Sequence, residues 1–159
     1  MGSGKTTLGQ ELSRVVRCRF FDMDHELENE HQLSIPEIFN RFGEPKFRIW
    51  ENELLQRISV KENLVVATGG GLPCFHNNID LLNQSGTTIY LKLSAAIIFD
   101  RLSKRRGTRP LIQGYSDAEL MQYIQNTLTK REPLYLKARH IVEAELITVQ
   151  DLVNIARNR

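Results

Sequence analysis

Gly2-Ser3-Gly4-Lys5-Thr6-Thr7 stands at the start of the chain, directly ahead of an apolar-periodic stretch. It matches the back half of the pattern G-x-x-x-x-G-K-[ST], in which every residue type has a chemical reason. Glycines let backbone N–H groups close around phosphate oxygens, and the positive end of the following helix dipole adds to the attraction. Lys5 has the reach for the β- and γ-phosphates of a nucleotide, and the Thr6 hydroxyl suits Mg²⁺. The competing reading is a glycine-rich turn with a chance lysine. Such a turn rarely opens an apolar helix with this spacing.

Asp22 and Asp24 end a short run that contains Phe20-Phe21. One carboxylate suits a magnesium shell through water, and the other can accept a hydrogen bond from an attacking hydroxyl. The same pair also suits a plain helix N-cap with an acidic first turn. Arg48 with Glu51 reads in isolation as a surface i,i+3 pair. Gly69-Gly70-Gly71 follows a buried-looking strand and leaves bare backbone for a ligand, at an entropy cost that a simple turn does not need. Arg109 lies in a basic loop and Arg131 near a helix end, where cations are at home with or without a ligand.

These residues need elements to hold them. Leu8, Leu12, Val15 and Val16 share one side of a helix after the glycine loop. Cys18 to Phe21 reads as a strand ending at Asp22, and Asp24 to Glu30 as a polar helix. Ser34 and Glu37 form a capping box with Pro36 in the first turn, and Gly43 is a natural stop for that helix. Phe47, Trp50, Leu54 and Ile58 mark a further helix. Leu64 to Ala67 and Thr88 to Leu93 are continuous apolar runs of the kind parallel strands show. Helices follow over about 95–104 and 117–131, the second opened by the Ser116–Glu119 box. His140 to Val142 reads as a last strand, and Thr148 to Asp151 caps the final helix. Strands alternating with helices predict a three-layer α/β fold on a parallel sheet.

Composition sets outer bounds. The 159 residues suit one domain with one core. A net charge of +2 is too small to argue for a nucleic-acid surface. Cys18 and Cys74 have no metal-ligand spacing, and two thiols without a framework fit a reducing compartment, the cytoplasm. No stretch approaches the roughly 18 apolar residues of a membrane span.

Taken in order, the motifs are G-S-G-K-T-T, F-F-D-M-D, F-R-I-W-E, T-G-G-G, R-P-L and R-E-P-L-Y. This series closely resembles the shikimate kinase family over nearly the whole chain. The resemblance implies one P-loop kinase domain over 1–159, of the nucleoside-monophosphate-kinase type. It would hold an acid-binding region at about 25–58 and a lid at about 105–116. It implies transfer of the ATP γ-phosphate to the 3-hydroxyl of shikimate in aromatic amino-acid biosynthesis, with Mg²⁺, by a monomer without nucleic-acid or membrane partners.

It also implies roles. Asp24 is the hydroxyl ligand and base, and Arg48 and Arg131 grip the carboxylate. Gly70, within Gly69-Gly70-Gly71, supplies a backbone contact. Arg109 reaches the phosphates beside Lys5, and Asp22 joins Thr6 in the magnesium shell. Gly2, Ser3, Gly4, Lys5, Thr6 and Thr7 form the ATP loop. A guanidinium fork suits a planar carboxylate, which agrees with the two arginines.

Three departures accompany the resemblance. The sheet should have five parallel strands, with the first, central strand missing from this chain; the natural protein is expected to begin about 8–15 residues upstream of Met1, and the missing strand to sit between the strand leading to Gly69 and the strand around Ile89. Without it the chain is expected to fold poorly and to bind ATP weakly. Arg101 is the nearest candidate for an adenine-stacking arginine. Ala67 stands where many members carry a small hydroxyl residue. A gluconate or nucleotide kinase, or a catalytically disabled ATP-binding fragment, are the alternatives.

Overall fold

Side chains that cap helices mark most of the turning points of the chain, in a computed structural model that describes residues 2–104 and 114–157. Ser34, Ser116 and Thr148 each accept a backbone N–H from three residues on and receive the reciprocal carboxylate of Glu37, Glu119 or Asp151. Caps of this kind are worth about 1 kcal/mol each. They open α3 (Ile35–Ser59), α6 (Asp117–Tyr135) and α7 (Val149–Arg157). The other helices are α1 (Lys5–Val16), α2 (Met23–His31), α4 (Asn78–Ser85) and α5 (Ala95–Ser103). The strands are β1 (Arg19–Asp22), β2 (Leu64–Ala67), β3 (Ile89–Lys92) and β4 (His140–Glu143).

Two elements differ from the sequence expectation. The helix expected to end near Arg131 runs on to Tyr135, through Pro133. Loss of one backbone donor at Pro133 leaves the last turn intact, and Tyr135 is carried round to the site. A short 3-10 turn, Leu72–Cys74, and helix α4 follow the glycine triplet, where no capping signal announces them. Gly43 does interrupt the chain as expected. Its φ of 76° and ψ of 166° break α3 into two segments, a conformation side chains avoid.

The strands pair in parallel, β1 with β2 and β3 with β4. Among the described residues they form two separate two-stranded sheets; the expectation from the sequence is one parallel five-stranded sheet whose first, central strand is missing from this chain. The two sheets are tied together by helices. Val65 of β2 and Ile89 of β3 meet one core built on Leu12 of α1 and Leu152 and Val153 of α7. On the opposite face Leu64 and Val66 pack under Met23, Leu27, Ile38, Phe47 and Leu54 of α2 and α3. Alternate residues of one strand thus serve two helical layers, as the pleat requires. A third core joins α5 and α6 through Ile98, Leu102, Leu120 and Ile124. Residues 105–113, and with them Arg109 and most of the expected lid, lie outside the described residues. No helix among the described residues is long and apolar enough to cross a membrane.

Candidate active site

The glycine loop precedes α1 in the conformation its composition allows. Gly2 and Gly4 have φ of 59° and 86°, which leaves backbone N–H groups aimed ahead of the helix. Lys5 is the first helical residue, and its charge reaches Asp24. The Thr6 hydroxyl donates to Asp22 Oδ2 at 3.1 Å. Asp22 Oδ1 accepts from the backbone N–H groups of Asp24 and His25. The N-cap reading of Asp22 therefore holds: one oxygen starts α2, while the other accepts from Thr6 of the glycine loop. A hydroxyl and a carboxylate side by side fit Mg²⁺, which takes hard oxygen ligands and keeps waters and phosphates for most of its shell. The described residues contain no cluster of three or more His, Cys, Asp or Glu suited to a metal. Arg101 Nη1 donates to Gly2 O at 3.0 Å, which sets that guanidinium at the mouth of the loop.

Asp24 lies in the first turn of α2, with Glu28, Arg48 and Asp22 around it. The residue is exposed to solvent on one side, but protein crowds its carboxyl on the others. This desolvation, with the neighbouring charge of Asp22, raises its pKa above the ordinary Asp value, against the pull of Lys5.

Arg48 and Glu51 are paired, but not on the surface as their spacing in isolation suggests. Their side chains are 8% and 2% exposed. Nη1 of Arg48 donates to Glu51 Oε2 at 2.5 Å, and Nε and Nη2 donate to Glu44 Oε1 at 3.0 and 2.6 Å. Burial works against the Arg48 charge, yet these carboxylates more than offset it and its pKa is raised. For Glu51 burial outweighs the help from Arg48, and its pKa also rises.

The glycine triplet brings the carboxylates and the guanidinium together. A Cβ on Gly69 would lie 2.7 Å from Asp24 Oδ1 and from Glu51 Oε1. A Cβ on Gly71 would lie 2.5 to 2.6 Å from the guanidinium atoms of Arg48. Only hydrogen atoms fit these places. Gly71→Ala is expected to force Arg48 off its partners and to cost about 1–3 kcal/mol of stability. Urea unfolding of the two forms measures it, and an unchanged midpoint would show that the Arg48 fork yields freely.

Tyr135 fixes the triplet from the α6 side, its hydroxyl donating to Gly70 O at 2.5 Å. Burial raises the Tyr135 pKa, and the guanidinium of Arg131 faces the same hydroxyl. Asn78, 1% exposed, holds the other side by donating to Leu72 O at 3.0 Å and accepting from Asn52. Tyr135 was legible in principle, four residues after Arg131 on one helix face. Glu44 had the same i,i+4 signal toward Arg48. Asn78 had none. Burial raises the pKa of the Cys74 thiol, against the pull of Arg131 and Arg48 nearby.

Apart from Arg109, the site residues expected from the sequence thus fall into two adjoining groups: the glycine loop with Asp22, and Asp24, Arg48 and Arg131 around the glycine triplet. Comparison with known proteins identifies the family. A family model described as shikimate kinase matches residues 1–156. A shikimate kinase of Parabacteroides distasonis is 39% identical over 157 residues, covering 98% of this chain and 91% of the relative. The crystal structure of shikimate kinase from Bacteroides thetaiotaomicron superposes with a TM-score of 0.93 at 36% identity, over 99% of this chain and 94% of that one. The Acinetobacter baumannii shikimate kinase in complex with shikimate does so with a TM-score of 0.85 at 34% identity, over 97% and 84%.

Proposed function

The chain belongs to the shikimate kinase family, and from this we propose that it transfers the γ-phosphate of ATP to the 3-hydroxyl of shikimate, for aromatic amino-acid biosynthesis. The observation that carries the reading is the convergence of Asp24, Arg48 and Glu51 on the backbone of Gly69 and Gly71. It supports a small acid as the acceptor, because a paired guanidinium sits beside a carboxylate of raised pKa.

Arg48 and Arg131 hold the substrate carboxylate, and the Gly70 N–H adds a backbone contact. Asp24 orients the attacking hydroxyl and takes its proton as the new O–P bond forms and the bond to ADP breaks. Gly2, Ser3, Gly4, Lys5, Thr6 and Thr7 wrap the phosphates, and Lys5 and Arg109 offset the charge on the transferred group. Thr6 and Asp22 would hold Mg²⁺, which when bound neutralises phosphate charge. We place the acid-binding region at about 25–58 and the lid at about 105–116, within a single domain of 1–159. In the working fold a fifth parallel strand seats between β2 and β3. Each of these strands is paired on one edge only among the described residues, and unpaired buried backbone groups cost about 1–3 kcal/mol each. We place the enzyme in the reducing cytoplasm, which two free cysteines support, and take it to act as a monomer without nucleic-acid or membrane partners.

A coupled ADP-release assay tests the assignment. Turnover is expected with shikimate, and none with gluconate or nucleoside monophosphates. Turnover on gluconate with none on shikimate would overturn it.

A further inference from the structure

Two carboxylates share the Arg48 guanidinium, and they differ in kind. Glu51 is buried at 2% exposure and wedged against Gly69, so it is a fixed partner. The Glu44 side chain is 50% exposed, and its single oxygen spans Nε and Nη2 of Arg48. That edge is one of the two on which a guanidinium binds a carboxylate bidentately. Glu44 is free to leave it: it opens the second segment of α3, just after the break at Gly43, and can turn out into water. A carboxylate at a helix N-terminus also stays favourable there without its arginine.

We propose that Glu44 is a resident competitor for Arg48, a carboxylate of the chain itself that the substrate carboxylate must displace to bind. This rests on the reading that Arg48 grips shikimate. Glu44 keeps the fork aimed, and it sets an affinity threshold that only a ligand bearing its own anion can pass. A neutral analogue has nothing to exchange for the contact and leaves Glu44 in place. Substrate selection in this cleft therefore includes an exchange of one carboxylate for another on a single guanidinium edge.

The test is shikimate binding to the whole chain, read by fluorescence of Trp50, the only tryptophan, two residues beyond Arg48 in α3. Glu44→Gln is expected to bind shikimate about 3- to 10-fold tighter, the worth of a partly exposed charge-assisted pair. The methyl ester of shikimate gains nothing, and the KM for ATP does not move. Glu44→Asp keeps the negative charge and the helix start but shortens the reach, so it is expected to follow Gln. It also carries the test if Glu44→Gln fails to fold. Weaker or equal shikimate binding in both variants would make Glu44 a plain support of Arg48 and overturn the proposal. An equal gain for the ester would reduce the effect to general loosening and overturn it as well. Wild-type protein that binds ATP but not shikimate would remove the substrate reading and this proposal together, whereas wild-type binding with no shift removes this proposal alone.

Discussion

Asp24→Asn is expected to lower kcat by about 10²-fold or more, the loss typical of a removed general base, and to raise thermal stability. The two effects have one cause. Burial and the charge of Asp22 raise the Asp24 pKa in the folded chain, so the ionised group is held at a free-energy cost. The sign follows from proton binding. A carboxyl whose pKa is higher folded than unfolded adds stability below its unfolded value, and that stability is lost as pH rises through the folded value. At neutral pH the wild-type carboxylate is thus destabilising, and a neutral amide of the same shape relieves it. The raised pKa also moves the acid limb of kcat/KM for the wild type above the ordinary Asp range, because the base must be ionised to act. Differential scanning calorimetry and a pH–rate profile measure both. A variant that loses activity and stability together would make Asp24 a structural residue.

Arg48→Ala is expected to weaken shikimate binding by about 2–4 kcal/mol, or roughly 30- to 1000-fold, with ATP affinity nearly unchanged. It should also destabilise the fold. Glu51 is buried, and Arg48 is its hydrogen-bonding partner. Removing one member of a buried pair costs about 3–5 kcal/mol, a large share of a typical domain's 5–15 kcal/mol. The stranded Glu51 carboxyl has its pKa raised further by burial, so the variant gains stability as pH falls and the group takes a proton. Arg48→Ala combined with Glu51→Gln should therefore refold well and still bind shikimate poorly. Recovery of binding along with stability in the double variant would show that Arg48 acts only as the partner of Glu51.

Much of this site was legible in the order of residues. The phosphate loop, the Asp22 and Asp24 pair and the glycine triplet are local patterns whose chemistry depends on near neighbours in the chain. Caps such as Ser34 with Glu37 are equally local, since both halves of the bond lie within one turn. The resemblance to a family added Arg131, which nothing in its own neighbourhood distinguishes from a cation at a helix end.

Other features depend on distant segments. The Arg48–Glu51 spacing suits a surface pair as well as a buried one, and only the packing of the glycine triplet against Arg48 puts it inside. The bond from Tyr135 to Gly70 spans 65 residues, and the support of Leu72 by Asn78 and Asn52 joins a loop to two helices. Propensity alone ends the helix carrying Tyr135 near Arg131, because Pro133 is a breaker. Tertiary contacts overrule that propensity where the last turn is held from outside. The sheet is the other limit. Apolar runs identify β2 and β3 as strands, half-buried here except at Ala67, but edge pairing is a matter of which backbone lies alongside, and here β2 takes β1 while β3 takes β4. Residue type sets what a side chain can do within a turn or two of its own position. Burial, pairing and pKa are set by groups far away in the chain, and for these only the folded structure decides.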